Sequence, residues 1–132
     1  MLYLLDTNII SDLIRNPQGR VTDRIRKVGE EQIATSIIVA AELRFGAARK
    51  GSPRLTARVE EILASIEVFP FESPADQEYA NLRSRLEEKG KVVGSNDLLI
   101  AAHALSLGAT LVTANEREFA MVKTLICENW LR

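Results

Sequence analysis

The chain has 132 residues, 17 of them basic and 18 acidic, for a net charge near −1; that length fits one domain, 1–132, with room for a sizeable core, and the balanced charge gives no overall basic field of the kind that announces a nucleic-acid binder. Cys127 is the only cysteine and His103 the only histidine, which excludes an internal disulfide and a Cys/His zinc centre and fits a reducing cytoplasm. The first apolar run is too short for a signal peptide and lacks a basic stretch before it, and no segment approaches a membrane span, so the expectation is a small soluble cytoplasmic protein.

In chain order, "LYLL" (2–5) reads as a short buried strand that runs straight into Asp6. "TNIISDLIR" follows as a helix ending near Asn16-Pro17, and a second helix covers 20–30. "QIATS" (32–36) is the next strand, and Ser36 caps a helix that continues to Gly51. Ser52-Pro53 opens another helix, with Pro53 where a missing N–H costs nothing. "IEVFPF" is a strand closed by Pro70, and the helix after it is read with a cap at Ser73 and an end at Gly90. "GSNDLLIAAHALSLG" is a helix capped by Ser95 or Asn96 and stopped by Gly108. "ATLVT" (109–113) is the fourth strand, "NEREF" a loop or short helical turn, and "LIC" (125–127) a last edge strand. Strands alternating with helices predict an α/β sandwich around a mostly parallel sheet of four to five strands.

In such sheets ligands sit outside the carboxyl ends of the strands. Asp6 ends the first strand; Asn115, Glu116 and Glu118 follow the fourth; Asp97 lies in the first turn of its helix and Glu42 in the second turn of its own. Several carboxylates at one sheet edge repel each other, and a divalent cation compensates them. All-oxygen donors suit Mg2+ or Mn2+. Each acid also has an ordinary explanation: Asp6 as a helix cap, Asp97 as a partner of the helix dipole, Glu116 and Glu118 as loop charges. Glu42, in "VAAELRFGA", is the hardest to explain without a partner.

Four segments in order, "LLDTN" (4–8), "TSIIVAAEL" (35–43) followed by Gly46, "NDLLIAAHA" (96–104) and "LVTANEREF" (111–119), resemble the signatures of PIN-domain ribonucleases, and most closely the VapC toxin branch of type II toxin–antitoxin modules. The resemblance covers nearly the whole chain. It implies a PIN-like three-layer α/β/α sandwich. It implies catalytic, metal-holding roles for Asp6, Glu42 and Asp97, with the fourth acid at Glu118, or alternatively Asn115 or Glu116. Thr7, Asn8, Ser36, Thr113 and Asn115 match small polar residues that support the acids. The implied activity is Mg2+-dependent (or Mn2+-dependent) hydrolysis of RNA, with transfer RNA the leading substrate, by a metal-activated water that leaves 5′-phosphate and 3′-hydroxyl ends. The implied partners are a second copy of the chain and a VapB-like antitoxin, which inhibits the enzyme and alone contacts operator DNA.

An acidic pocket repels RNA, so nearby cations must guide the phosphates. Arg15, Arg20, Arg24, Arg44, Arg49, Lys50 and Lys91 are candidates, with Arg44 and Arg49 ranked first because they flank Glu42 on its helix. His103, six positions after Asp97, is turned away from that acid and reads as a packing or surface residue. Trp130 reads as a packing plug or partner contact, Cys127 as a small buried hydrophobe, and helices at 37–64 as antitoxin or dimer contacts. Three other readings compete: a non-toxin RNA-processing nuclease, a signalling receiver domain and an inactive binding module. The receiver lacks its paired acids after strand one, its acceptor Asp after "IEVFPF" and its Lys after "LVTAN".

Overall fold

The computed structural model describes residues 1–132. The order is β1 (Tyr3–Leu5), α1 (Thr7–Arg15), α2 (Arg20–Val28), a 3-10 turn (Glu30–Gln32), β2 (Ile33–Ser36), α3 (Ile37–Lys50), α4 (Pro53–Ser65), β3 (Glu67–Phe69), α5 (Ala75–Glu88), α6 (Ser95–Leu107), β4 (Thr110–Val112), α7 (Glu116–Phe119) and β5 (Cys127–Glu128). All strand pairs are parallel, in the order β3-β2-β1-β4-β5. The three inner strands are buried on both faces, as parallel sheets covered by helices require: Leu4, Leu5, Ala34, Leu111 and Val112 have no exposed surface. That is why "LYLL" and "LV" (111–112) read as continuous apolar runs rather than alternating ones.

The topology decides where a site can form. From the central β1 the chain runs to β2 on one side and later reaches β4 on the other, so the sheet reverses its order at β1. The crevice outside the carboxyl ends of β1 and β4 is the switch point at which ligands bind in open α/β sheets. Leu5 pairs with both Thr35 and Val112, and Asp6 N–H continues the ladder to Val112 O at 2.9 Å. Residues 6, 36 and 113 therefore sit side by side at one edge.

Helix starts follow the caps in part. Ser36 Oγ accepts from Ile38 N at 3.0 Å and Ser52 Oγ from Leu55 N at 3.2 Å. Gly51 and Gly108, both left-handed at φ 63°, close α3 and α6. The second helix stops at Val28, not 30, because Gly29 turns to φ 100° and a 3-10 turn follows. Ser73 caps nothing: Pro74 directly precedes α5, whose first turn carries Asp76 and Glu78 to meet the helix dipole. Ser95 and Asn96 do not cap α6 either; both lie inside its first turn, behind Gly94. The last strand is Cys127–Glu128 rather than 125–127.

Trp130 is a packing plug. It is 1% exposed, tilts against Tyr3 with ring centroids 5.3 Å apart, lies under the Arg24 guanidinium and donates Nε1–H to Glu128 Oε1 at 2.9 Å. His103 is buried rather than on the surface: Nδ1 lies 2.7 Å from Ser36 Oγ, Phe71 meets the ring edge-on, and burial pushes its pKa down. Burial and neighbouring acids lift the half-buried Cys127 thiol to about 11, so it stays protonated. Gly46, exposed in the middle of α3, costs that helix about 1 kcal/mol relative to alanine.

Candidate active site

Asp6 follows the last residue of β1 and is 3% exposed. It is a helix cap and more than a cap. Oδ1 accepts from Thr7 N at 2.7 Å, which starts α1, while Oδ2 accepts from Thr113 Oγ1 at 2.7 Å and more weakly from Asn8 Nδ2 at 3.5 Å. None of the five ion pairs in the protein involves it. Burial is the main influence on its carboxyl and raises its pKa above the usual carboxylate range. The bonds from Thr113, Thr7 and Asn8 oppose that rise, and Glu42 adds to it.

Glu42 reaches the same place from the second turn of α3. One oxygen accepts a short bond from Thr7 Oγ1 and the other accepts from Asn96 Nδ2 at 3.0 Å. Asp97, in the first turn of α6, is lifted to about 6 by burial, then by the charges of Asp6, Glu118 and Glu42. The charges of the other three acids all reach Asp97. Glu118, on α7, is held by Gly94 N–H and by Asn115 Nδ2 at 3.4 Å, and the same Asn115 amide donates to Asp97 Oδ2 at 3.0 Å. Asn115 thus ties two acids together as a donor, not as a fourth acid.

Asp6, Glu42 and Asp97 open onto a cavity of about 430 Å³ lined only by polar side chains. No three of these acids lie close enough together to form a ready-made metal-binding group. Mg2+ does not need one: it binds through one or two carboxylates and keeps its waters. A buried Asp6 and partly buried Glu42 and Asp97, none of them paired with a cation, together with all-oxygen donors and a polar cavity, fit such an ion.

The supporting residues divide. Thr113 Oγ1 also accepts from Asn115 N at 3.0 Å, and Asn8 Oδ1 accepts from Ala114 N at 3.0 Å, so both lock the loop after β4 to Asp6. Ser36 touches no carboxylate. It caps α3 and holds His103, and so acts on the acids only through the helices that carry Glu42 and Asp97. Glu116 is drawn away by Arg132 and Asn129. Arg44 also faces elsewhere: Nε and Nη2 both meet the Glu60 carboxylate of α4 at 2.9 Å. Arg49 is exposed and lines neither the cavity nor the groove beside it. The cations that do border the cavity and that groove are Arg15 and Lys50. The sequence offers Asn96 as a cap; its contact with Glu42 spans 54 positions and leaves no local signal.

A family model, the PIN domain, matches residues 3–125. The chain is 38% identical to Ribonuclease VapC2 of Rickettsia felis over 132 residues, 98% of each protein. It is 33% identical to the tRNA(fMet)-specific endonuclease VapC of Shigella flexneri over 129 residues, 97% of each. Its backbone superimposes with a TM-score of 0.92 and 37% identity on a chain in the structure of VapBC2 from Rickettsia felis bound to a promoter DNA fragment, covering 98% of this chain and 99% of that one. By sequence over its whole length and by the three-layer fold, the chain belongs to the PIN-domain family, in its VapC ribonuclease branch.

Proposed function

We propose that this chain is the toxin of a type II toxin–antitoxin pair, an endoribonuclease that needs a divalent cation and takes transfer RNA as its substrate. The observation that carries the reading is the gathering of Asp6, Glu42, Asp97 and Glu118 at the sheet's switch point with no cationic partner. Relatives of the same length carry the names ribonuclease and tRNA(fMet)-specific endonuclease. Mg2+, or Mn2+ in its place, would be held by Asp6 and Asp97 with Glu42 and Glu118, and when bound supplies a Lewis acid for phosphodiester hydrolysis. Thr113 and Thr7 fix Asp6, and Asn115 fixes Asp97 against Glu118. The products are 5′-phosphate and 3′-hydroxyl ends. VapBC structures of relatives, two with DNA, support a VapB-like antitoxin that silences the pocket and carries operator DNA, with the toxin as a homodimer in that complex.

The test is incubation of the antitoxin-free protein with total cellular RNA, with cleavage ends mapped by sequencing. Discrete cuts in Mg2+ or Mn2+, absent in chelator, are expected. Folded protein that cuts nothing, or cuts equally in chelator, would overturn the reading. A smaller effect is expected from Thr113→Val, which removes the buried hydroxyl from Asp6. A bond to a charged group contributes about 1.5–3 kcal/mol, so cleavage should slow by ~10–100-fold, with the rate's acidic limb moved to higher pH. Initial rates across pH 5–9 check it; an unchanged profile would mean that Thr113 does not tune Asp6.

A further inference from the structure

Beside the acidic cavity lies a groove of about 260 Å³ between α1, α3 and α4. Two helical stripes face each other across it. Thr7, Ser11 and Arg15 run at i, i+4 and i+8 along α1; Glu42, Gly46 and Lys50 run at the same spacing along α3. Each stripe begins at the acids, since the Thr7 hydroxyl bonds Glu42. Each continues through a small residue and ends on a cation. Arg15 and Lys50 are exposed and take part in none of the protein's ion pairs. Between the stripes the wall is apolar, from Leu43, Leu55 and Val59.

Gly46 is the informative residue. Glycine is the least favourable helix-interior residue after proline, and this one has helical backbone that alanine adopts freely. A Cβ built there meets no protein atom within 4 Å. The protein's own packing gives no reason for the missing methyl. Open space over the backbone, next to the acids and leading to two free cations, is accounted for by a ligand that passes close to the helix.

We propose that this groove is the path of the RNA strand next to the cut: the flanking nucleotide lies over Gly46 against the apolar wall, and Arg15 and Lys50 take the phosphates beyond the acids. The inference rests on the ribonuclease reading. The charge pattern selects RNA, because a strand whose cut phosphate sits among carboxylates needs cations at its flank. Lys50 lies eight residues past Glu42, about 12 Å along the helix.

The experiment measures binding of mixed transfer RNA at several salt concentrations, in an Asp97→Asn background that cannot cut. Adding Arg15→Gln or Lys50→Gln should each flatten the slope of log K against log salt by about 0.7, the loss of one single-strand phosphate contact. Arg83→Gln on α5, where Arg83 pairs with Glu87, removes the same charge and should leave the slope alone. Gly46→Ala should raise Tm by about 4 °C yet weaken RNA binding about tenfold. Slopes for positions 15 and 50 equal to that of position 83, or a stabilised Gly46→Ala that binds RNA normally, would overturn the proposal. So would variants that weaken only capture of the antitoxin, which would make the groove a protein seat. Failure of the ribonuclease reading shows separately, as wild-type protein that cuts no RNA in Mg2+, and the binding slopes are read either way.

Discussion

Replacing Asp6 by Asn is expected to slow RNA cleavage by about 10³-fold while leaving the protein folded. The substitution keeps the shape of the side chain in a place that is 3% exposed. An amide oxygen can still accept from Thr7 N and so still start α1. The amide nitrogen then faces Thr113 Oγ1, a hydroxyl that can accept as well as donate. What disappears is the charge. On the proposed reading, hydrolysis draws several kcal/mol of transition-state stabilisation from the ion's charge, and weakening Asp6, the most buried of the proposed anchors, would forfeit about 4 kcal/mol, or about three decades of rate. Asp6→Ala is the contrasting variant: it also loses the cap, about 1 kcal/mol, and should melt lower. Mapped cleavage rates and thermal melts on both proteins check this. Cutting that persists in Asp6→Asn would come from another site or another protein.

The acids were legible in the sequence because each stands at the end of an element whose polarity is unmistakable. "LYLL" and "LV" (111–112) lie in inner strands of a parallel sheet, covered on both faces, so these runs are apolar throughout and the first polar residue after each marks the sheet's edge. Asp6 and Thr113 are those residues, and the ladder places them together. Glu42 and Asp97 sit in early helical turns next to that edge. The direction in which a helix turns its polar side chains is harder to read, because it depends on the helix it packs against. Arg44 adjoins Glu42 in sequence but belongs to Glu60 of α4, whereas Lys50, eight residues away, shares Glu42's stripe. Asn96 and Ser36 look like caps on paper. Only Ser36 is one, and its other partner, His103, lies 67 positions on. The i, i+4, i+8 spacing of Thr7, Ser11 and Arg15 is visible in the sequence; that it faces an identical spacing on α3 follows only from packing α1 against α3.

Asp97→Asn is expected to do two opposite things: abolish cleavage, again by about 10³-fold, and raise the melting temperature of the metal-free protein. Asp97 is held at about 6 by burial and by Asp6, Glu118 and Glu42, against 3.8 for a free aspartate. The folded state therefore takes up a proton more readily than the unfolded chain between about pH 4 and 6. The stability that protonation brings is fully present below pH 4 and is lost as pH rises through 6, so at neutral pH the ionised group works against folding. Asp6, raised in the same direction by its own burial, adds to that slope. Asp97 is only partly buried, and solvent screening reduces the effect to about 1 kcal/mol, or about 4 °C in a domain of this size. Asparagine removes the charge and can still accept from Asn115 Nδ2. Melts at pH 5 and 7.5 in chelator should show the wild-type protein losing stability across that window and the variant losing much less. Mg2+ at 100 times its Kd should then stabilise wild type by about 2.7 kcal/mol and the variant hardly at all. On the proposed reading, ion binding and destabilisation have one origin: carboxylates kept close at a cost in folding, which a bound cation would offset. A variant that melts no higher than wild type in chelator, and still responds to Mg2+, would show that Asp97 is neither strained by its neighbours nor needed to hold the ion.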